Sequence, residues 1–273
     1  MTIFDNAGVD PGKLMEDAVY AAREAGRLLL NGLDKALKID YKGRIDLVTE
    51  VDIASQECIL GYLQNKYPDH IMWAEEDEDK DPVDEKFVWC IDPLDGTTNY
   101  AHGYRCFSIS IALLIRNQLA LGLVYDPWGN ELFTAIKGKG ALLNGEPISV
   151  TSENSLDRSL LVTGFPYDIR ESKVNNLNLF SHMIMKAQAV RRDGSAALDL
   201  AYLAAGRFDG FWELKLHPWD MAAGVLLIEE AGGTVSTFNG SDFNIKTFDL
   251  LATNGKIHEA MIREIAQVPE NIW

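Results

Sequence analysis

Residues 87–99 read Phe-Val-Trp-Cys-Ile-Asp-Pro-Leu-Asp-Gly-Thr-Thr-Asn, so an apolar run leads directly into two acids spaced three positions apart. The apolar residues 87–91 predict a buried strand, and Asp92 and Asp95 follow where that strand ends. Two carboxylates this close repel each other unless a cation lies between them. The segment therefore predicts a cation site at the end of a strand.

The residues after this acid pair favour anion binding. Gly96 permits a tight turn, and Thr97 opens a predicted helix that offers hydroxyls and backbone N–H groups. A helix start of this kind attracts anions such as phosphate. Divalent cations beside a phosphate site are the minimum requirement for metal-assisted phosphate hydrolysis.

Two other segments place an acid in a comparable position. The apolar residues 70–74 end at Glu75, and Asp220 lies at the opening of an apolar helix. Turn formation could explain the first acid pair, and helix capping could explain Asp220, since aspartate favours both. The recurrence of the pattern in three segments favours the cation site, and a capping carboxylate can still bind a metal.

The three segments read Trp-Ala-Glu-Glu at 73–76, Ile-Asp-Pro-Leu-Asp-Gly-Thr-Thr-Asn at 91–99 and Trp-Asp-Met-Ala-Ala-Gly at 219–224. They resemble the signature motifs of the inositol monophosphatase family of magnesium-dependent, lithium-sensitive sugar phosphatases. Further similar blocks, in the family order, extend the resemblance over nearly the whole chain. These blocks lie at 43–49, 138–141, 192–199 and 230–233.

Composition is that of an ordinary globular protein, with 273 residues, 47% apolar residues and 24% charged residues. The formal net charge of −16 opposes direct binding to nucleic acid or to an anionic membrane surface. Bound metal ions would reverse the sign of the charge locally, so the acidity is compatible with a phosphorylated small molecule.

The cysteines and the N-terminus bear on the compartment. Cys58, Cys90 and Cys106 form no Cys-x-x-Cys pair, so we expect them to be reduced and buried. The N-terminus lacks a basic segment followed by an apolar one, and no run approaches the roughly 20 apolar residues that span a bilayer. We therefore expect a cytoplasmic enzyme without membrane association.

Alternating helical and strand periodicity predicts an α/β (α+β) protein with a meander of strands in the middle of the chain. We divide it into residues 1–150, with most of the candidate metal ligands, and residues 151–273, with Asp220 and the specificity residues. The resemblance implies a layered αβαβα sandwich with the metal site in the cleft between the halves. Helices are predicted at 11–32, 49–66, 171–186, 195–205, 220–231 and from Lys256, and strands at 70–74, 86–91, 106–115, 119–125, 131–136, 160–164, 188–191, 208–214, 234–238 and 249–253.

Oxygen donors without Cys or His favour a hard cation such as Mg²⁺, with Mn²⁺ as a substitute, over zinc. The resemblance implies that Asp92 bridges two ions. Glu75 and the Leu94 carbonyl would complete the first ion site, and Asp95 and Asp220 would complete the second. A third, weaker ion would share Glu75.

The role of Asp52 has two interpretations. Thr49 and Asp52 fit a variant capping box, in which Asp52 serves only the helix. The resemblance implies instead that Asp52 pairs with Thr97 to orient the attacking water, with Glu75 as the third catalytic residue.

Four basic residues lie near these motifs. Lys42 is either a solvated charge or part of a flap that closes on the phosphate, and His217 is expected behind the metal ligands. Arg191 and Arg192 precede a turn from which an arginine could reach an inositol hydroxyl, bind a second phosphate or contact another subunit.

For the substrate, the resemblance implies that the N–H groups of Gly96 and Thr97 hold the phosphate. Glu213 would accept hydrogen bonds from inositol hydroxyls, with Ala196 on the pocket wall and Asp220 also close to the substrate. Inositol monophosphate is the expected substrate. Fructose 1,6-bisphosphate, NADP, adenosine 3′,5′-bisphosphate and histidinol phosphate remain alternatives, because related chains hydrolyse them.

The resemblance also bears on partners. We expect a homodimer. A function of another class also remains open, since some bacterial relatives are accessory factors of the transcription machinery. Such a role would use an outer surface and a protein partner, and it could survive loss of the metal ligands.

Overall fold

The structure is a computed structural model that describes residues 2–33, 39–41, 47–75, 82 and 85–273. The helices are α1 Ile3–Ala7, α2 Pro11–Gly32, α3 Glu50–Lys66, α4 Thr97–Ala101, α5 Leu177–Met183, α6 Ala196–Ala204, α7 Pro218–Glu230 and α8 His258–Ile265. The strands are β1 Ile39–Tyr41, β2 Leu47–Thr49, β3 Ile71–Ala74, β4 Phe87–Asp95, β5 Ser108–Ile115, β6 Gln118–Asp126, β7 Glu131–Ile136, β8 Ala141–Leu143, β9 Glu146–Pro147, β10 Leu160–Thr163, β11 Ala189–Arg191, β12 Gly210–Leu214, β13 Thr234–Ser236 and β14 Asp249–Thr253.

The larger sheet has seven strands in the sequential order β3-β4-β5-β6-β7-β8-β9. From β4 onward each neighbouring pair is antiparallel, which confirms the predicted meander. The first pair, β3 and β4, is parallel, with Ala74 opposite Ile91. Because parallel strands end at the same edge of a sheet, Glu75 and Asp92 are brought to one edge.

The smaller sheet has five strands in the order β11-β10-β12-β14-β13. Strand β10 pairs in parallel with β12, and Thr163 lies opposite Trp212. The two residues that follow this pair, Gly164 and Glu213, therefore lie side by side at one end of the sheet.

Helices cover the two sheets on both sides. Helix α2 buries Leu14, Ala21 and Leu29, spaced at helical intervals, in the same apolar cluster as strands of the larger sheet. Helix α7 is apolar on nearly all sides because it lies between the two sheets with α6. Helices α5 and α8 cover the outer face of the smaller sheet. This layering confirms the αβαβα sandwich.

Two sequence predictions were wrong in detail. The helix predicted at 171–186 is limited to Leu177–Met183, because Asn176 adopts a left-handed conformation with φ 71° that a helix cannot continue through. The cysteines are free as expected, but only Cys90 is buried, whereas Cys58 and Cys106 are half-buried. Among the described helices, none is long and apolar enough to cross a membrane.

The division at residue 150 falls between the two sheets, since the larger sheet ends at Pro147 and the smaller one begins at Leu160. Helix α7 belongs to the second half of the chain, yet its buried residues share one apolar cluster with strands of both sheets. The two-part division therefore stays a prediction about folding units.

Candidate active site

One cleft collects almost all of the predicted site residues. Asp52 is the exception, because it does not line the cleft; its Oδ1 lies 2.8 Å from the hydroxyl oxygen of Thr97, which does. The predicted site residues that line the cleft are Glu75, Asp92, Leu94, Asp95, Gly96, Thr97, Arg192, Ala196, Glu213 and Asp220. We call Glu75, Asp92, Asp95 and Asp220 the acid wall, and Gly164, Arg192, Asp199 and Glu213 the Glu213 wall.

Asp92 is fixed where the paired part of β4 ends. The pairing of β4 with β5 shifts register between Asp92 and Asp95, which marks a local bulge in the strand. Asp92 is 2% exposed, and its Oδ1 accepts a hydrogen bond of 2.9 Å from the Leu94 N–H. The Glu75 N–H donates to the Ile91 carbonyl at 3.1 Å, which extends the strand pairing up to the acids.

Asp95 links the acid wall to the second half of the chain. Its Oδ2 accepts hydrogen bonds from the Ser195 hydroxyl, from the Ala197 N–H at 2.8 Å and from the Ser108 hydroxyl at 3.4 Å. Ser195 and Ala197 lie at the start of α6, where N–H groups lack helical partners. Asp95 therefore fixes the start of α6 against the end of β4.

Asp220 is the third residue of α7 and caps that helix. Its Oδ2 accepts a hydrogen bond of 2.8 Å from the His217 N–H. The His217 ring stacks on Trp219 with centroids 4.8 Å apart, and Trp219 meets Trp73 edge-on at 6.1 Å. His217 is exposed and lines the cleft beside Asp220, so it does not lie behind the acids as expected.

The charges of neighbouring acids raise the pKa of Asp92 and of Asp220. Burial, followed by the charges of Glu75, Asp95 and Asp220, raises the pKa of Asp92 well above its usual range. Burial and then the charges of Asp95 and Glu75 raise the pKa of Asp220 in the same way. Burial also raises the pKa of Asp95, although its hydrogen bonds oppose the shift. A cluster of this kind is stable in its ionised form only beside positive charge.

The side chains of the acid wall differ from a preformed metal cage. In the described part of the chain, no group of three His, Cys, Asp or Glu side chains is already arranged as a metal cage. The acid wall nevertheless supplies four carboxylates, of which Asp92 and Asp95 are buried, and carboxylate oxygens are donors suited to a hard cation. The chemistry of the residues therefore fits Mg²⁺.

Thr97 connects the cleft to Asp52. Its hydroxyl oxygen lies 2.8 Å from Asp52 Oδ1 and 3.0 Å from the Leu94 carbonyl oxygen. Asp52 is 1% exposed, so this contact is buried. The structure therefore brings together the two residues that the resemblance pairs, and it gives the Asp52 carboxylate a contact beyond its own helix.

The backbone at Gly96 allows this arrangement. Gly96 has φ +92°, and a Cβ added there would lie 3.0 Å from the Cys106 carbonyl oxygen. Asn99 uses its side-chain amide to hold two loops, with hydrogen bonds of 2.7 Å to the carbonyls of Cys106 and Asp193. Asn99 therefore supports the cleft rather than offering a group to a ligand.

Glu213 lies against a glycine on the opposite side of the cleft. A Cβ added at Gly164 would lie 2.0 Å from Glu213 Oε1, so only glycine leaves room for this carboxylate. Burial, with a smaller contribution from the charge of Asp95, raises the pKa of Glu213 to about 8, and Arg192 acts in the opposite direction. Arg192 folds back over Gly194, with its Nη1 3.1 Å from the position of a Cβ on that glycine.

A buried asparagine supports Glu213 from behind. The Asn176 amide donates to the Thr163 hydroxyl at 2.8 Å and to the Gly164 carbonyl at 2.5 Å. Its oxygen accepts a hydrogen bond of 2.7 Å from the Trp212 indole N–H. Asn176 therefore fixes both strand ends that meet at Glu213.

Sequence reasoning missed Gly164, Asn176 and Ser195 as site residues. Ser195 could have been found, since it opens a helix inside a block that resembles the family. Asn176 and Gly164 carry no local signal, because their contacts join distant parts of the chain. Lys42 lies outside the described residues, so its predicted place in a flap stays a prediction.

A larger cavity, of about 690 Å³, lies elsewhere and is lined by apolar residues such as Trp73, Leu114 and Phe243. Among its described lining residues one is acidic, Glu229, which pairs with Lys137 at 2.7 Å. The smaller cleft collects the four acids of the acid wall and is therefore the candidate active site.

The layered αβαβα fold brings several acids and the start of a helix to one cleft. These features together define a class of phosphatases that share this layered fold. The inositol monophosphatase family profile matches residues 10–270. The inositol-1-monophosphatase of Synechocystis sp. is 46% identical over 257 residues, which cover 94% of this chain and 90% of that protein. The chain belongs to the inositol monophosphatase family.

Two further comparisons agree with this family. The inositol monophosphatase structure from Anabaena (Nostoc) sp. superposes with a TM-score of 0.87 at 44% identity, covering 95% of this chain and 97% of that one. The Nus factor SuhB of Escherichia coli is 41% identical over 251 residues, which cover 91% of this chain and 94% of that protein.

Proposed function

We propose that this protein hydrolyses inositol monophosphate to inositol and phosphate, with Mg²⁺ as cofactor and water as the direct attacking group. One observation carries the proposal. Asp92 and Asp95 are buried at one cleft, the charges of Glu75, Asp95 and Asp220 raise the pKa of Asp92, and the Thr97–Asp52 pair lies beside them. The 46% identity to an inositol-1-monophosphatase supports the choice of substrate.

The acid wall would hold the metal ions. Asp92 would bridge two ions, with Glu75 and the Leu94 carbonyl on one side and Asp95 and Asp220 on the other. When the Thr97 hydroxyl donates its proton to Asp52, the Leu94 carbonyl oxygen keeps its lone pairs for an ion. When bound, the ions lower the pKa of a water molecule and stabilise the departing alkoxide. Mn²⁺ is expected to substitute, because it accepts the same oxygen donors.

The Thr97–Asp52 pair would orient the attacking water. When the Thr97 hydroxyl donates its proton to Asp52, its lone pairs are left facing outward as acceptors. A water that donates to this oxygen is turned with its own lone pair toward the phosphorus. Glu75 would take part in accepting the one proton that the water gives up as it attacks, and the departing alkoxide would take up a proton and leave as the alcohol.

The N–H groups of Gly96 and Thr97 would hold the phosphate oxygens. Hydrogen bonds of this kind stabilise the negative charge that develops in the transition state. The phosphate would then lie between this turn and the acid wall, which leaves the cyclitol ring against the Glu213 wall.

The Glu213 wall would select the substrate. Glu213 would accept hydrogen bonds from ring hydroxyls, Ala196 would contact the ring, and Asp220 would lie close to both the ring and the phosphate. Arg192 lines the same cleft, so a second phosphate could be bound there. Fructose 1,6-bisphosphate, NADP, adenosine 3′,5′-bisphosphate and histidinol phosphate are therefore the competing substrates.

A phosphatase screen with Mg²⁺ across inositol monophosphates and these four competitors tests the proposal. Highest kcat/KM on an inositol monophosphate, loss of activity in chelator and inhibition by Li⁺ at subsaturating Mg²⁺ are the expected results. Li⁺ should compete because its ionic size is close to that of Mg²⁺. Full activity in chelator would refute the metal dependence.

A second candidate function is an accessory role on the transcription machinery. It is favoured by the 41% identity to Nus factor SuhB of Escherichia coli. The net charge of −16 points to a protein partner rather than to RNA. If Asp92→Asn abolishes hydrolysis but preserves the cellular role, the protein has both functions, whereas loss of both ties the role to catalysis.

The protein is further proposed to be a cytoplasmic homodimer. Several large apolar side chains are exposed within 167–185, including Tyr167, Leu177 and Met185, which is 81% exposed. Exposed apolar side chains mark an interaction site where they form one contiguous patch, and this segment is the proposed contribution to the subunit interface. Sedimentation equilibrium measures the oligomeric state directly.

A further inference from the structure

Asp199 is a buried acid that the site described above does not use. It lies on α6, one turn after Ser195, and it lines the cleft. The residue is 1% exposed, and its Oδ1 is completely buried. Among the residues that the structure describes, none donates a hydrogen bond to this oxygen.

Two buried acids elsewhere in the chain show the usual arrangement, in which donors satisfy the carboxylate. Asp17 accepts hydrogen bonds of 2.7 Å from the hydroxyls of Tyr62 and Tyr67, and Asp126 accepts one of 2.9 Å from the Gly129 N–H. A buried acceptor without a partner is destabilising, and the cost is larger when the group is charged. Since Asp199 lines the cleft, its partner enters from there.

The surroundings define the chemistry of that partner. Burial, followed by the charges of Asp193, Glu213 and Asp95, raises the pKa of Asp199, and Arg192 acts in the opposite direction. Because an unpartnered carboxylate oxygen is an acceptor, the partner that satisfies Asp199 Oδ1 is a hydrogen-bond donor. Asp199 lies with Glu213 and Arg192 on the Glu213 wall, where the ring of the substrate is placed, so a neutral hydroxyl fits better than a metal ion.

We propose that Asp199 is a specificity-determining acceptor for a ring hydroxyl of the substrate, acting beside Glu213. The proposal rests on the proposed function, because it takes the substrate to be a phosphorylated polyol. Two acceptors on one wall can distinguish a polyol from a simple phosphate ester, since each loses its donor when a hydroxyl is missing.

The test compares Asp199→Asn with the unaltered protein on inositol 1-phosphate and on p-nitrophenyl phosphate, which has no ring hydroxyls. The ratio of the two kcat/KM values should fall about tenfold in the variant, mainly through KM for inositol 1-phosphate. Asp126→Asn is the matched control, since it makes the same change at a buried acid outside the cleft, and the ratio should stay constant.

Monodeoxy analogues of inositol 1-phosphate identify a direct contact. For the analogue that lacks the contacted hydroxyl, kcat/KM of the unaltered protein should already be reduced. Asp199→Asn should not reduce kcat/KM for that analogue any further. A further loss on every analogue, or an unchanged ratio with inositol 1-phosphate, would overturn the inference. If the unaltered protein cleaves p-nitrophenyl phosphate with Mg²⁺ but not inositol 1-phosphate, the proposed function fails, and this inference fails with it.

Discussion

The acid wall and the Glu213 wall face the same cleft, but they are held in different ways. Asp92 and Asp220 accept hydrogen bonds from backbone groups two and three positions away. Glu213 depends on Asn176, whose contact with Trp212 spans 36 positions. The hydrogen bonds to Asp92 and Asp220 are therefore local, whereas Asp95 and Glu213 are held only once distant parts of the chain have assembled.

This difference separates two kinds of mutational effect. Changes in the acid wall should abolish the chemistry on every substrate, because all phosphate esters need the same ions. Changes in the Glu213 wall should alter the choice among substrates and leave the reaction with simple esters in place. Each of the following predictions can break this separation.

The largest effect is expected from Asp92→Asn. Activity should fall by about 10³-fold or more on every substrate, because the bridging charge is lost. Without metal the variant should be more stable than the unaltered protein near neutral pH, since burial and neighbouring acids raise the pKa of Asp92. Steady-state kinetics with Mg²⁺ and thermal unfolding in chelator measure the two effects. Residual activity that is confined to inositol 1-phosphate would contradict the separation between the effects of the two walls.

The acid wall could be predicted from the sequence because each acid follows an apolar run or opens an apolar helix. Asp92, Asp95 and Asp220 needed only their neighbours in the chain to be recognised. Asn176 instead appeared to lie inside a helix, and its left-handed backbone and buried hydrogen bonds become visible only in three dimensions. The αβαβα layering came from the family resemblance, since periodicity alone predicts alternating elements but not which sheet they join.

Thr97→Ala should have the next largest effect. The Thr97 hydroxyl is held by Asp52 at 2.8 Å, and its loss removes the acceptor that turns the water. We expect kcat to fall about 10²-fold with little change in KM, on simple and polyol esters alike. Thr97→Ser is the control, because it keeps the hydroxyl and should recover most of the rate. An unchanged kcat would leave Thr97 a purely structural role.

Gly164→Ala tests the Glu213 wall without altering any charge. The added Cβ would lie 2.0 Å from Glu213 Oε1, so the carboxylate must move. We expect kcat/KM for inositol 1-phosphate to fall about 30-fold, with a much smaller loss on p-nitrophenyl phosphate. Gly61→Ala is the matched control, because no atom lies within 4 Å of its added Cβ and the helix gains stability. Equal losses on both substrates would show that Gly164 supports the whole cleft.

The smallest effect is expected from Glu213→Gln, which keeps the size of the side chain and removes its charge. Hydrogen bonds to vicinal hydroxyls should weaken by about 1 to 2 kcal/mol, so kcat/KM for inositol 1-phosphate should fall about tenfold. p-Nitrophenyl phosphate should be nearly unaffected. Arg192→Ala provides the contrast, since it should impair a bisphosphate much more than inositol monophosphate if the true substrate carries a second phosphate.

Glu213→Gln should also change how stability depends on pH. The pKa of Glu213 is raised to about 8 in the folded protein, so the folded state retains a proton that the unfolded chain releases. The stabilisation from this proton is complete below the unfolded pKa and is lost as the pH rises to about 8. In chelator, from about pH 5 to about pH 9, the Tm of the unaltered protein should therefore fall more steeply than that of the variant. Parallel Tm curves would show that Glu213 is already ionised in the free cleft, and its selectivity would then need no proton release on substrate binding.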